Sequence, residues 1–276
     1  MTGVVVALVL VLVAAACGDS GESAAAGDFP RLTGRDVIAA TRAAQTAHVM
    51  IEEHASVADP GTAHGTSGAE EENQTSEGEF DFEHNRSVLR WEFPPFDLGD
   101  GADTGPTKVE ARAIDDTAYV RDGSWLCPGC GMDDDEPLPS DKWITVPVSS
   151  GDKAFDFSQD AFYGRLGWME LVKDPAAPAR RNTRDGVTVG VYEVTIPVAT
   201  AQAALPRGDE GEDMSDLQLQ GTSVTIRFEV DADKRLRHLA VEYKMDDRSR
   251  TFTATLDRFG KPVAIEKPPD DEIFKE

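Results

Sequence analysis

Apolar residues recur at every second position along most of this chain, and this period constrains its fold more than any other feature. Successive side chains of a strand point to opposite faces, so the pattern predicts antiparallel strands with one apolar and one wet face. The apolar positions are Val49 and Ile51; Phe80 and Phe82; Leu89, Trp91 and Phe93; Val109, Ala111 and Ala113; Ile144, Val146 and Val148; Val224, Ile226, Phe228 and Val230; Leu239, Val241, Tyr243 and Met245; Phe252, Ala254 and Leu256.

Turn-forming residues separate many of these segments. Asp and Gly tolerate the tight backbone of a hairpin turn, and short connections predict a meander in which each strand pairs with the next. The turn signals are Asp115-Asp116, Asp122-Gly123, Asp185-Gly186, residues 231–234 and residues 246–249. A last strand is predicted through Val263 and Ile265, before Pro268-Pro269.

Three stretches predict helices, at residues 33–47, 158–172 and 200–205. In the first, Thr33 is the predicted N-cap and Asp36 favours the first turn. The fold class is therefore α+β, a large antiparallel sheet with two or three helices on its apolar face. The apolar stripes of these helices are thin and rich in Ala. If the helices cover the apolar face of the sheet incompletely, an apolar pocket suited to acyl chains remains between helices and sheet. If they pack fully against the sheet, no pocket remains, and both interpretations stay open.

The charge balance excludes some classes of partner. The chain has 27 basic and 51 acidic residues and a net charge of −24. Such a chain is predicted to bind no nucleic acid, and not to lie flat on an anionic membrane surface, because both carry negative charge. Residues 59–74, 99–106 and 207–216 are acidic and Gly-rich and are predicted to be mobile loops.

An apolar run ends abruptly at Cys17. Residues 4–16 are all Val, Leu or Ala, which is shorter than the roughly 20 residues that span a bilayer. The pattern VAAAC resembles the lipobox of bacterial lipoproteins, in which the cysteine is acylated and becomes the N-terminus; an ordinary secretory signal is the alternative. The prediction is a signal peptide over residues 1–16, a lipidated tether over 17–31, a single domain over 32–270 and a tail over 271–276. The protein would then be extracytoplasmic and anchored to the cell membrane.

The remaining cysteines, Cys127 and Cys130, form a C-x-x-C pair in WLCPGCG. In an exported protein this spacing favours a short-range disulfide, while a redox pair and half of a zinc site are the alternatives.

No motif indicates catalysis or a metal. Asp231, Asp233 and Glu242 match positions of a calcium loop, but Leu236 stands where that loop requires Gly, so a hairpin turn is favoured. The acidic residues 133–136 favour a solvated loop, with weak calcium binding as the alternative. We predict that the protein is not an enzyme and that it has no catalytic residues, no metal and no cofactor.

The order of these features resembles the actinobacterial lipoproteins of the LppX/LprG type, which have a LolA-like fold. The resemblance is carried by VAAAC, VIAATRAAQTAHVMIEEH, TAYVRDGSW, DKWITVPV, GVTVGVYEVTIPV and the final segments VTIRFEVDADKRLRHLAVEYK and TFTATLDRFGKPVAIEKPPDD. It implies a curved half-barrel sheet over helices, around a hydrophobic cavity for lipid or lipoglycan acyl chains. The implied protein is a monomer that binds or carries lipid in the cell envelope.

The lining of such a cavity would come from the apolar strand faces. The predicted lining residues are Phe80, Phe82, Leu89, Trp91, Ile226, Phe228, Val241 and Phe252. Two other functions stay open. One is a cell-surface interaction or envelope-sensing lipoprotein with a fully packed core, and the other is a hydrolase whose catalytic residues are not adjacent in sequence.

Overall fold

Eleven strands form one antiparallel sheet, as the alternation predicts. The computed structural model describes residues 29–57, 72–93, 107–115, 117–121, 142–147, 168–203, 219–245 and 248–274. The strands are β1 (Thr46–Val57), β2 (Glu72–Asp81), β3 (Arg86–Phe93), β4 (Thr107–Ile114), β5 (Thr117–Arg121), β6 (Trp143–Pro147), β7 (Arg180–Arg184), β8 (Val187–Pro197), β9 (Leu219–Val230), β10 (Leu236–Met245) and β11 (Arg248–Asp257).

The sheet is an open meander with one long-range closure. Its order is β6-β5-β4-β3-β2-β1-β11-β10-β9-β8-β7, so β6 and β7 are its edges and the first strand pairs with the last at its centre. In that central pair Val49 lies opposite Leu256 and Ile51 opposite Ala254. Strands β1–β3 and β8–β11 contribute buried side chains to one apolar cluster, on a face here called the inner face. A register shift of one residue would turn those side chains toward water.

Helix α1 (Gly34–Arg42) covers one end of the inner face. The predicted capping box is present, since the Thr33 side chain accepts from the backbone of Asp36, whose carboxylate accepts from the Thr33 backbone. These hydrogen bonds hold the pKa of Asp36 below its ordinary value. Val37 is buried, and the Thr41 hydroxyl accepts a hydrogen bond from the backbone N–H of Leu236, at the start of β10. This half-barrel with helices on its inner face confirms the predicted α+β class.

The helix ends five residues earlier than predicted. Gln45 has a φ of 67°, and β1 begins at Thr46, so Ala47 lies in the strand opposite Phe80 and is fully buried. Pairing in the sheet therefore overrides the helical propensity of the Ala-rich stretch. At its start α1 packs closely on the helical turn at residues 168–170. A Cβ on Gly34 would lie 1.6 Å from the Met169 carbonyl oxygen, so no side chain fits at that position.

Other predicted elements shift or disappear. Helix α2 spans Val198–Gln202 rather than residues 200–205, and β7 was not predicted because its residues RRNTR lack alternation. Of the helix predicted at residues 158–172, only residues 168–172 are described, and 168–170 are helical. The predicted acidic loop at 59–74 overlaps β2, which already begins at Glu72.

The C-terminal segment, residues 261–274, is not a strand as predicted around Val263 and Ile265 but a strap across the outer face of β3–β6. Its backbone carbonyls accept hydrogen bonds from side chains and not from a continuous ladder with a paired strand. Arg112 donates to the carbonyl of Glu266, and Lys142 donates to the carbonyl of Asp271. Ile265 of the strap is buried, and so is Val88, whose neighbours on the outer face, Arg86 and Arg112, donate to the strap carbonyls of Ile265 and Glu266. At edge strand β6 the backbone of Trp143 bonds to Glu272 and Phe274, which covers part of that edge.

Candidate functional site

The structure brings all eight predicted lining residues together. They belong to one apolar cluster on the inner face, seven of them buried and Trp91 half-buried. Phe82 lies in the turn after β2 rather than in a strand, and its ring stacks on Phe80 with centroids 5.9 Å apart. The sequence could place these residues on one face because strand alternation is a local property.

The aromatic half of this cluster, beside α1, is closely packed. The rings of Tyr192 and Phe228 stack at 4.8 Å with an interplanar angle of 5°. The Tyr192 hydroxyl donates to the carbonyl of Pro30 at 2.7 Å. Burial raises the pKa of Tyr192 to about 12. Tyr192 was not predicted as part of the site, although it alternates in phase with Val194 and Ile196.

The other half of the inner face, on β2–β5, has six small residues among the larger side chains of Phe80, Leu89, Trp91, Val109 and Val120. The small residues are Ser76, Gly78, Ser87, Ala111, Ala113 and Ala118. All are buried. Gly78 lies opposite Leu89, and a Cβ there would lie 2.0 Å from the Val88 carbonyl oxygen. The six small residues have shorter side chains than Tyr192 and Phe228 in the aromatic half of the inner face.

A polar group of residues borders the apolar cluster at the end of the sheet away from α1. A cavity of about 220 Å³ there is lined by Glu53, His54, Ala55, Gln74, Tyr243, Arg250 and Thr251. Tyr243 also stacks on Trp168 at 5.5 Å. None of the residues at this polar end is among the predicted site residues. The signal was present, because Arg250 is in phase with Phe252, Ala254 and Leu256, whose side chains point inward.

The outer face carries charged clusters instead. His48 contacts two carboxylates, with Nδ1 at 2.6 Å from Asp257 and Nε2 at 2.7 Å from Glu77. On β9 the buried Glu229 accepts from Arg184 Nε at 2.6 Å and from Asn182 at 3.4 Å. Burial acts to raise the pKa of Glu229, but the hydrogen bond and charge of Arg184 outweigh it and hold the pKa below its ordinary value. Burial, reinforced by Arg184, lowers the pKa of His238, which lies opposite Glu229.

We expect acid to destabilise the fold through these two groups. The unfolded His238 takes up a proton near its usual pKa of 6.5 before the folded residue does, so the stability falls as pH drops below that value. Glu229 contributes stability that is fully present above 4.5 and is lost as pH falls through its lower folded pKa. Urea denaturation of His238→Asn should show a smaller loss between neutral pH and the region below 6.5 than the wild type shows. The matched control is His84→Asn, whose side chain is 59% exposed; an equal loss in wild type and His238→Asn would contradict the assignment.

The predicted hairpin at residues 231–234 is confirmed in place of a calcium loop. Asp231 is buried, and its carboxylate accepts from the backbone of Asp233 and Arg235 and from the guanidinium groups of Arg235 and Arg237. Lys234 has a φ of 65°. The oxygens that a cation would need are thus already bound to donors.

Several predicted sites lie outside the described residues. These are the lipidation site Cys17, the pair Cys127 and Cys130, and the acidic residues 133–136. Among the residues that the structure does describe, no group of three or more His, Cys, Asp or Glu is arranged to hold a metal ion. Within the same residues, no helix has the length and apolar character needed to cross a membrane.

Among the comparisons with known proteins, the comparison with solved structures found similar chains. No family model and no curated protein matches this chain. It is similar to LprF from Mycobacterium bovis, with a TM-score of 0.43 and 14% identity over 85% of this chain and 94% of that one. It is also similar to the lipoprotein LppX of Mycobacterium tuberculosis, with a TM-score of 0.43 and 14% identity over 84% and 95% of the two chains. A DUF1329 family protein from Desulfovibrio piger matches with a TM-score of 0.28 and 11% identity, over 82% and 90%. LppX is of the lipoprotein type that the sequence resembles.

Proposed function

We propose that this protein is a membrane-anchored lipoprotein that binds acyl chains of a lipid or lipoglycan and carries them within the cell envelope. One observation carries the proposal. The apolar inner face of an open sheet gathers all eight predicted lining residues into one cluster, and polar side chains border that cluster at one end. An apolar surface with a few polar groups at its margin is typical of a site for an amphiphile.

We propose that the short side chains on β2–β5 leave a recess beside Leu89 and Trp91, and that the acyl chain binds there. Ala111 lies between Leu89 of β3 and Val120 of β5 on the inner face. Transfer of each CH₂ of an acyl chain out of water stabilises the complex by about 0.8 kcal/mol. A long chain would therefore offset the free-energy cost of an apolar recess that is exposed to water in the lipid-free protein. The close packing of Tyr192 and Phe228 supports binding in the small-residue half rather than beside α1.

Native mass spectrometry of protein from its own host tests the proposal. We expect co-purifying lipid in the wild type and none in Ala111→Leu, whose larger side chain would occupy the recess while the lipid-free protein stays as stable as the wild type. The matched control is Ala240→Leu, at a half-buried position of the outer face. A packed core, as in an interaction or sensing lipoprotein, gives the opposite result: no lipid in the wild type, and a loss of about 1–3 kcal/mol of stability in Ala111→Leu.

The same preparation tests the anchor. After denaturation in organic solvent removes bound lipid, the intact mass should equal the chain from Cys17 to Glu276 plus covalent acyl groups. An unmodified mass that begins before Cys17 would contradict the anchor and leave the binding proposal to be judged by the native spectrum alone.

A further inference from the structure

We propose that Arg250 binds the head group of the ligand, and that this ligand is an amphiphile with a single negative charge, a carboxylate or a phosphodiester. The inference rests on the proposed function and specifies its ligand class. It gives a binding role to the polar residues at one end of the inner face, whose presence beside the apolar cluster is otherwise unexplained.

The position of Arg250 in the sheet is the first observation. Arg250 lies opposite Ala55 on β1 and Tyr243 on β10. Two residues further along β11, on the same face, Phe252 is a buried member of the apolar cluster. Residues two apart in a strand share a face at a separation of about 7 Å. A ligand whose chain lies against the cluster therefore places its head group beside this guanidinium.

The state of the guanidinium is the second observation. The Nε of Arg250 is buried, and among the described residues no hydrogen-bond acceptor contacts it and no carboxylate forms an ion pair with the side chain. A buried Arg donor without an acceptor is costly, because the group loses its water and gains nothing in exchange. The planar fork of donors matches a carboxylate or a phosphate, which would remove that cost.

The other lining residues set the charge of the head group. Glu53 and Gln74 lie opposite each other on β1 and β2 and line the same cavity as Arg250. The residues of this lining that ionise near neutral pH are Glu53, His54 and Arg250, so Arg250 is its one permanently charged cation. A single negative charge beside Arg250 is therefore favoured, whereas a doubly charged phosphomonoester meets repulsion from Glu53. Gln74 and Tyr243 are neutral polar residues of the same lining.

Binding of paired probes to the delipidated full chain tests this assignment. The probes are a fluorescent long-chain fatty acid and its methyl ester, which differ only in the charge of the head group. We expect the wild type to bind the acid about tenfold more tightly than the ester, as one charge-assisted hydrogen bond implies. Arg250→Gln should bind the acid only as well as the ester, Arg250→Lys should lie between, and the ester's affinity should not change. The control Arg227→Gln removes an outer-face arginine paired with Glu193 and should change neither affinity.

The outcomes separate this inference from the proposed function. If neither probe binds the wild type, the proposed function fails. If both bind equally well, or if Arg250→Gln weakens both equally, acyl binding stands and the head-group assignment is overturned. Inorganic phosphate in millimolar excess is the third probe: saturable binding that Arg250→Gln abolishes, with no preference between acid and ester, would assign Arg250 to a free anion instead.

Discussion

Replacing Phe228 with alanine is expected to lower the free energy of unfolding by about 4 kcal/mol. Phe228 is fully buried in β9, opposite Leu239 of β10 and Tyr192 of β8. Its ring stacks on Tyr192, so the truncation removes both buried apolar area and a specific aromatic contact. Chemical denaturation of the delipidated protein, followed by circular dichroism, measures the change.

The preceding residue provides the control. Arg227 points to the outer face, where it is paired with the exposed Glu193 at 2.9 Å, and Arg227→Ala should cost about 0.5 kcal/mol or less. A loss below about 1 kcal/mol in Phe228→Ala would show that the aromatic half is loosely packed. That result would move the proposed acyl-binding region toward α1 and away from the small-residue recess.

Asp231→Ala is expected to cost a similar amount, about 4 kcal/mol. The carboxylate is 3% exposed and lies 2.9 Å from both Arg235 and Arg237. Its removal leaves two partly buried guanidinium groups above the ring of Phe259 without their shared anion. It also removes the acceptor for the backbone N–H groups of Asp233 and Arg235, which hold the β9–β10 turn.

Asp233→Ala is the matched change in the same turn. Its carboxylate also pairs with Arg235, at 2.8 Å, but is 71% exposed, and its loss should cost about 0.5 kcal/mol or less. Thermal or urea denaturation of the two variants provides the comparison. Equal effects of the two substitutions would contradict the view that burial, rather than the number of ion pairs, determines the contribution of this cluster.

Much of the sheet could be predicted because its signals are local. The alternation in β9, β10 and β11 assigns each side chain to a face without reference to any other part of the chain. The capping box of Thr33 and Asp36 lies within four residues, and Asp115, Asp185, Gly186 and Lys234 have the positive φ values that the predicted turns require. Such features depend on covalent geometry and neighbouring hydrogen bonds, which the order of residues specifies.

The missed features all depend on distant parts of the chain. Strand β7 is a strand because β8 pairs with it, and its own residues are exposed or half-buried. Val88 is buried, and Arg86 beside it on the outer face donates to the carbonyl of Ile265 in the strap, some 180 residues away. The position of Arg250 beside the cluster could not be predicted from the sequence, because one charged residue in an alternating strand is ordinary and its surroundings depend on the neighbouring strands.

Local patterns in the amino-acid sequence specify which face of most strands is apolar, where the first helix begins and which connections are short. The tertiary structure alone decided that β1 pairs with β11, that the C-terminal segment lies across the outer face and that Arg250 stands beside Tyr243 and Glu53 at one end of the apolar cluster. The physical reason is that facial patterning follows from backbone geometry over a few residues. The choice of partner among many apolar strands depends instead on the free energy of the whole packed chain, including the entropy lost when distant segments meet.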